Sequence, residues 1–275
     1  MSASTREDTG GTSSTTARRK AAALRALHVP GRPLVVPNVW DAASARAVEA
    51  AGFPVIATGS AAIAPVLGYD DGEETPVEEM LAAIARISRS VGLPVTADME
   101  RGYGLEPAEL VERLVAAGAS GCNLEDSDPR TEVMVDAGEQ AAYLRAVRDA
   151  ATAAGADLVI NARVDTYMNG TGDAEERLAE SVRRGRRYLE AGADCVYPIF
   201  ASEAGAVRAL VEGIGGPVNI LFRPGTPSLG ELASLGVARV SFGHGLHRAV
   251  QAYADRMLTA IRDGESPYFP GPSAS

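Results

Sequence analysis

Three apolar runs in this chain end on charge: Pro94-Val-Thr-Ala-Asp98-Met-Glu100, Gly121-Cys-Asn-Leu-Glu125-Asp126 and Leu158-Val-Ile-Asn161-Ala-Arg163-Val-Asp165. β-Formers that stop on charge are the pattern of a buried parallel strand whose last residues emerge where α/β folds bind ligands. Asp98, Glu125 and Arg163, far apart in the chain, are therefore expected to converge at one mouth. Carboxylates gathered there repel one another unless a cation or an arginine compensates, and a hard, oxygen-liganded Mg²⁺ is the expected compensator. The fork of Arg163 suits a carboxylate, or an oxyanion developing beside one. The other reading of Arg163 is an ion pair with Glu125 or Asp165 that neutralises the mouth. Thr58-Gly59-Ser60 ends a further strand, where backbone and hydroxyl donors can meet a carboxylate or simply cap the next helix. Asp70 and Asp71, in a long polar loop, read by themselves as solvated charge. His244 and His247 lack the third ligand of a zinc set. Tyr69, Tyr103, Arg130 and His244 are all open as proton carriers.

The elements that must position these residues follow from a recurring phrase. Ala50-Ala-Gly-Phe, Ala116-Ala-Gly-Ala, Ala153-Ala-Gly-Ala, Glu190-Ala-Gly-Ala and Ser234-Leu-Gly-Val each read as a helix end, a glycine cap and a strand start. Filling in the remainder predicts eight strands at 33–39, 55–60, 94–99, 121–126, 158–164, 195–200, 217–222 and 239–243, each followed by an amphipathic helix. Such alternation in a chain of 275 residues predicts an α/β fold, a single-domain (β/α)₈ TIM-type barrel, over an open doubly wound sheet. Residues 1–18 read as a disordered tail, 19–263 as the barrel and 264–275 as an irregular C-terminal tail. Gly102-Tyr-Gly104 lacks the third glycine of a nucleotide fingerprint and reads as a tight loop.

Composition narrows the chemistry. Of 26 basic residues only Lys20 is lysine, and it lies at the edge of the predicted tail. Schiff-base chemistry, which needs an amine in the pocket, is thereby excluded. Cys122 and Cys195 fall inside apolar strands and read as reduced core residues. The net charge of −10 argues against nucleic acid and anionic membrane as partners. With no apolar stretch of membrane length and no apolar leader, the expectation is a soluble, cytoplasmic protein.

Taken in order, Asn38-Val-Trp-Asp-Ala-Ala-Ser-Ala-Arg46, Thr58-Gly59-Ser60, Thr96-Ala-Asp98-Met-Glu-Arg-Gly-Tyr-Gly104, Asn123-Leu-Glu125-Asp126 and Asn161-Ala-Arg163-Val-Asp165 resemble the isocitrate lyase/phosphoenolpyruvate mutase family, in its short, poorly characterised branch. The resemblance covers roughly residues 20 to 262. It implies a Mg²⁺ held largely through waters by strand-end acids, gripping a 2-oxo acid or its enolate. Carried over, it makes Asp98 and Glu125 metal residues and Thr58, Gly59, Ser60, Asn161 and Arg163 substrate-binding. Arg163 and Asp71 become catalytic, Asp71 from the loop after the second strand. It also implies a homo-oligomer, dimer or tetramer.

Departures from the family pattern bound the activity. The stretch Ser127-Asp-Pro-Arg-Thr-Glu-Val-Met134 carries neither the cysteine nor the histidine that lyases of this family resemble one another in. Turnover of isocitrate or methylisocitrate is therefore not expected. Glu125-Asp126-Ser127 lacks the lysine usual in phosphonomutases, and Thr96 stands where many members have the first acid of an Asp-x-Asp pair. The expected function is a Mg²⁺-dependent carbon–carbon lyase or decarboxylase acting beside a 2-oxo-acid or dicarboxylate unit. The alternatives are phosphonopyruvate-type C–P chemistry and a non-catalytic 2-oxo-acid-binding barrel.

Overall fold

The computed structural model describes residues 10–268. Nine parallel strands run through them: β1 (Leu34–Val36), β2 (Asn38–Val39), β3 (Ile56–Thr58), β4 (Val95–Asp98), β5 (Gly121–Glu125), β6 (Val159–Val164), β7 (Cys195–Pro198), β8 (Asn219–Leu221) and β9 (Arg239–Ser241). The predicted first strand is split at Pro37, which has no N–H to give to a ladder. Its first half, β1, pairs with β9 (Leu34 opposite Arg239) and its second, β2, pairs with β3 (Asn38 opposite Ala57). Strands β2 to β7 pair in chain order and β8 pairs with β9, while a parallel bridge, Val196 to Val218, links β7 to β8. With β1 and β2 taken as the two halves of one strand, eight parallel strands follow one another around the sheet, and the architecture is the (β/α)₈ TIM-type fold that the alternation predicts. Asn38 fastens the seam: its Oδ1 accepts from the N–H of Phe242 and of Gly243 (2.8 and 2.9 Å), and its Nδ2 donates to the Thr58 carbonyl (2.9 Å).

Helices α2 (Ala42–Ala50), α3 (Ser60–Leu67), α4 (Val77–Arg89), α5 (Pro107–Ala116), α6 (Ala137–Ala153), α7 (Ala174–Glu190), α8 (Ala204–Ile214), α9 (Leu229–Ser234) and α10 (Gly245–Arg262) follow the strands. The five glycines of the recurring phrase, Gly52, Gly118, Gly155, Gly192 and Gly236, all have positive φ, as turning a helix end into a strand start requires. The main core lies between strands and helices, where Ile56, Val95, Leu124, Ile160 and Val240 are completely buried. Alternate residues point into the barrel, with a small apolar floor below and polar groups above.

That floor corrects the expected tail boundary. Helix α1 spans Gly10–Ala26, so residues 10–18 are helical, while 1–9 lie outside the described residues. The first turns are Ser, Thr and Gly with no apolar period, and tertiary packing further along fixes the helix. Leu24 packs on Leu34, Val36, Val55, Ala57 and Val159, and Arg25 donates from Nε to Asp194 (2.7 Å) and pairs with Asp157 (2.7 Å). Lys20 therefore belongs to the folded body, but on α1 at the barrel's floor and away from the charged strand ends. At the other terminus 264–268 are irregular and 269–275 lie outside the described residues. Among the described residues no helix is long and apolar enough to cross a membrane.

Candidate active site

The three charged strand ends meet at one mouth. Register does this: Asp98 lies opposite Asn123, and Glu125 opposite Arg163, so the carboxylates and the guanidinium stand on adjoining parallel strands and face inward. Arg163 Nη1 is 2.5 Å from Glu125 Oε2, and its Nε and Nη2 form a two-pronged pair with Asp165 (2.6 and 2.9 Å). Both readings of Arg163 therefore begin from an ion pair: it is clamped between two carboxylates at the edge of the mouth. Burial works against its charge, but Glu125 and then Asp165 outweigh it and push its pKa further up. Burial pushes the Glu125 carboxyl well above the usual range, Arg163 opposes this, and Asp165, Asp98 and Glu100 add repulsion. Behind this pair Asp126 takes Arg184 Nη1 (2.9 Å), the Tyr188 hydroxyl (2.7 Å) and the Asp165 N–H (2.9 Å).

The opposite side of the mouth is built differently. Asp98 Oδ2 accepts from the Ser60 N–H and hydroxyl (3.0 and 3.1 Å), so the carboxylate caps the N-terminus of α3, where the helix dipole favours negative charge. The Asp98 N–H in turn donates to Thr58 Oγ1 (2.9 Å). Asp71 is exposed as a residue, but its carboxyl reaches the Ser60 hydroxyl and stands beside Asp98. Burial, then Asp98, raises its pKa. Glu100 is buried, in the left-handed region (φ 48°). Its Oε2 accepts from the N–H groups of Gly72 and Glu73 (2.9 and 2.8 Å) and its Oε1 from the Tyr103 hydroxyl (2.6 Å). Burial, then Asp71 and Asp98, push its carboxyl up to about 7 against the pull of Tyr103. Among the described residues no arginine or lysine forms an ion pair with Asp71, Asp98 or Glu100.

Several expectations change. Thr58 and Ser60 stand against Asp98 and Gly59 faces Asn38 and the Gly243 carbonyl, with the Ser60 N–H and hydroxyl turned onto Asp98. Asn161 is completely buried one layer below Arg163, because side chains two apart share a face about 6.6 Å apart in depth. Its Nδ2 donates to Asn123 Oδ1 (2.8 Å), so it supports the site from beneath and does not face the opening. Thr96 lies in the same buried layer below Asp98, and the acid that accompanies Asp98 is Glu100. The mouth has therefore not lost a charge at Thr96. Strand spacing alone does not place Glu100, which follows the end of β4 in a left-handed turn. Of the open proton carriers, Tyr69 bonds Glu79 on the surface (2.7 Å) and Arg130 sits on an exposed turn, whereas Tyr103 touches Glu100. His244 faces a cleft of about 570 Å³ that also contains Asp71.

The chain as a whole matches known proteins. A model of the phosphoenolpyruvate phosphomutase family matches residues 24–262. A crystal structure from Burkholderia cenocepacia J2315, provisionally named a phosphonomutase, is 42% identical with a TM-score of 0.81, covering 89% of this chain and 99% of that one. An oxaloacetate decarboxylase of Rhodopseudomonas palustris (strain ATCC BAA-98 / CGA009) is 30% identical, over 91% of this chain and 88% of its own. The 2,3-dimethylmalate lyase structure, from a member of the PEP mutase/isocitrate lyase superfamily, is 29% identical with a TM-score of 0.77, covering 93% and 90%.

Proposed function

Since this chain belongs to the phosphoenolpyruvate phosphomutase family and is an enzyme of the surrounding lyase and mutase superfamily, we propose that it is a Mg²⁺-dependent carbon–carbon lyase or decarboxylase acting beside a 2-oxo-acid unit. The observation that carries this reading is the under-neutralised half of the mouth: Asp71, Asp98 and Glu100 repel one another and, among the described residues, none of them forms an ion pair, Arg163 acting on Asp71 and Asp98 only from a distance. A divalent cation held there would supply the missing charge. The donor set fits Mg²⁺ in its hydrated form. Among the described residues no three acidic, histidine or cysteine side chains gather closely enough to hold a metal by themselves. Mg²⁺ binds through one or two carboxylates and keeps several waters.

In this reading Asp98 would ligate the metal, with Asp71, Glu100 and Glu125 holding its water shell. Bound Mg²⁺ would supply Lewis-acid stabilisation of negative charge developing on the substrate's 2-oxygen. Ser60 holds Asp98 in place, and the Gly72 and Glu73 N–H groups on Glu100 fix the loop that carries Asp71. Arg163, kept rigid by Asp165, presents fixed positive charge at the edge of the mouth, where an oxyanion or substrate carboxylate would be stabilised without reorganisation. Asp71 and Arg163 are the catalytic pair of this proposal, and Thr58, Gly59 and Ser60 form the wall on which the acid group rests. The substrate is a small 2-oxo acid or dicarboxylate. A homo-oligomer, dimer or tetramer, and a cytoplasmic location belong to the same proposal. Leu246, Val250, Leu258 and Ile261, exposed along α10, support the oligomer.

The deciding measurement is product release by purified protein with and without Mg²⁺. Oxaloacetate should yield pyruvate in a Mg²⁺-dependent way, whereas isocitrate and 2-methylisocitrate should yield little or no glyoxylate or pyruvate. General acid catalysis is typically worth about 10²–10⁴-fold, and the stretch 127–134 has no cysteine or histidine to provide it. Isocitrate turnover on the order of 10 s⁻¹, an ordinary enzymatic rate, would overturn that part of the reading. The 42% identity to a provisionally named phosphonomutase favours a second reading, C–P cleavage or migration on a 3-phosphono-2-oxo acid. A ³¹P assay with phosphonopyruvate separates the two.

A further inference from the structure

Beneath the mouth the barrel holds a charge that the reaction has not accounted for. Arg239, on β9, is 1% exposed, and no carboxylate pairs with it among the described residues. Its Nε and Nη1 have no protein partner, and its Nη2 points at Asn123 Oδ1 (3.5 Å). A guanidinium without a counter-ion in a protein interior is costly, so its retention calls for a role. Burial pulls its pKa below the ordinary value, with Cys195, Tyr197 and then Asp98 working against that.

Asn123 supplies the link. Its Oδ1 takes the Asn161 Nδ2 (2.8 Å) from one side and Arg239 from below, so its Nδ2 is turned up to Asp98 Oδ1 (3.5 Å). Asn161 alone cannot impose this orientation. Both amides could rotate together, so that Asn161 offers its oxygen, now without a partner, and Asn123 presents its own oxygen to the Asp98 carboxylate. An arginine has donors and no acceptor at any ordinary pH. With Arg239 below, the reversed arrangement would set the Asn123 N–H₂ against a guanidinium and its oxygen against a carboxylate.

We propose that Arg239 is a positioning residue of this active site: from the barrel's middle layer it fixes the amide of Asn123, and through it holds the Asp98 carboxylate in the orientation that receives a divalent cation. The inference rests on the reading of Asp98 as a metal residue. Arg239 touches neither substrate nor metal.

The test is Mn²⁺ binding to the full-length protein, followed by electron paramagnetic resonance and calorimetry, alongside thermal melting without metal. Arg239→Gln, which introduces an acceptor, and Asn123→Ala should each weaken Mn²⁺ binding about ten- to a hundredfold, the usual effect of losing a partner behind a metal ligand. Arg239→Lys keeps a donor-only group and should restore binding to within about threefold of the wild type. Lys and Gln variants that bind equally weakly and melt equally early would overturn the proposal, since Arg239 would then only fill space. Wild-type binding in either Arg239→Gln or Asn123→Ala would overturn it too. If Arg239→Gln does not fold, the Asn123→Ala and Arg239→Lys results decide alone. A wild-type protein that binds no Mn²⁺ or Mg²⁺ would defeat the metal reading itself, an outcome distinct from binding that ignores these substitutions.

Discussion

The two halves of the mouth handle buried charge in opposite ways. On the β5–β6 side every acid is met by a base: Glu125 and Asp165 by Arg163, and Asp126 by Arg184. On the β3–β4 side Asp71, Asp98 and Glu100 are met by backbone N–H groups and hydroxyls, from Ser60, Gly72, Glu73 and Tyr103. Hydrogen bonds orient a carboxylate without neutralising it, so the second half keeps its negative field. The charges of the paired half are met within the chain, whereas in the proposed reading the other half would be completed by a cation from solution. In the proposed reading, the difference predicts that loss of a paired charge costs stability first and loss of an unpaired one costs metal binding first.

The strongest way to break this comparison is to remove Arg163. Arg163→Met leaves Glu125 and Asp165 buried without their base, and breaking a buried pair in this way typically costs about 3–5 kcal/mol. The variant should unfold at clearly lower urea concentration than the wild type, with or without Mg²⁺. Unchanged stability would mean that Arg163 is held for the ligand alone.

Next in size is Asp98→Asn, on the other side. Mg²⁺ or Mn²⁺ affinity should fall by about a hundredfold or more, since the direct ligand is lost and outer partners alone already carry about ten- to a hundredfold. Stability without metal should hold or rise slightly, because the substitution relieves repulsion from Asp71 and Glu100 while an amide oxygen can still accept from Ser60. A large loss of melting temperature with metal binding intact would place Asp98 among the structural charges instead.

The barrel and the convergence of Asp98, Glu125 and Arg163 were legible because both depend on period. Apolar runs of strand length, glycine-capped helix ends and charge at the last strand residue survive any detail of packing. Glu100 was not legible, because its place depends on a left-handed backbone turn beyond the end of β4 that no alternation encodes. The direction of the Ser60 donors was equally hidden. A hydroxyl at a helix start can face a ligand or a neighbouring acid, and only the register of β3 against β4 decides. Helix α1 is illegible for a different reason: its first half has no apolar face, and Leu24 finds its partners on strands far along the chain. The place of Arg239 is not legible either, because sequence does not reveal which side of a short strand a single arginine occupies.

Titration should separate the halves by pH. The Glu100 carboxyl is raised from 4.5 to about 7 in the folded protein, so the folded state holds this proton more tightly than the unfolded chain. The associated stability is fully present below about pH 4.5 and is lost as pH rises through about 7. The gap sets a ceiling of roughly 3 kcal/mol. Buried His28, pushed down to about 4, works in the opposite direction as pH falls below its ordinary 6.5, so the Glu100 share is read as a difference: between pH 5 and pH 7.5 the metal-free wild type should lose stability relative to Glu100→Gln, and Mg²⁺ should offset that loss. A slope unaltered by Glu100→Gln would locate the titration elsewhere in the molecule.

The smallest effect asked of the comparison concerns Ser60. Its hydroxyl and its N–H both reach Asp98 Oδ2 (3.1 and 3.0 Å), and Ser60→Ala removes only the first. One hydrogen bond to a charged group is worth about 1.5–3 kcal/mol at most. The remaining N–H at the start of α3 keeps much of the orientation, so the expected loss is roughly 1 kcal/mol, or about fivefold in Mn²⁺ affinity. Stability should barely move, because the helix keeps Asp98 as its cap. Were the unneutralised half held by hydrogen bonds as firmly as the paired half is by charge, Ser60→Ala would instead lower the melting temperature as Arg163→Met does. Measuring both variants by urea unfolding without metal and by Mn²⁺ titration distinguishes the cases: stability loss confined to Arg163→Met and affinity loss in Ser60→Ala is the expected pattern.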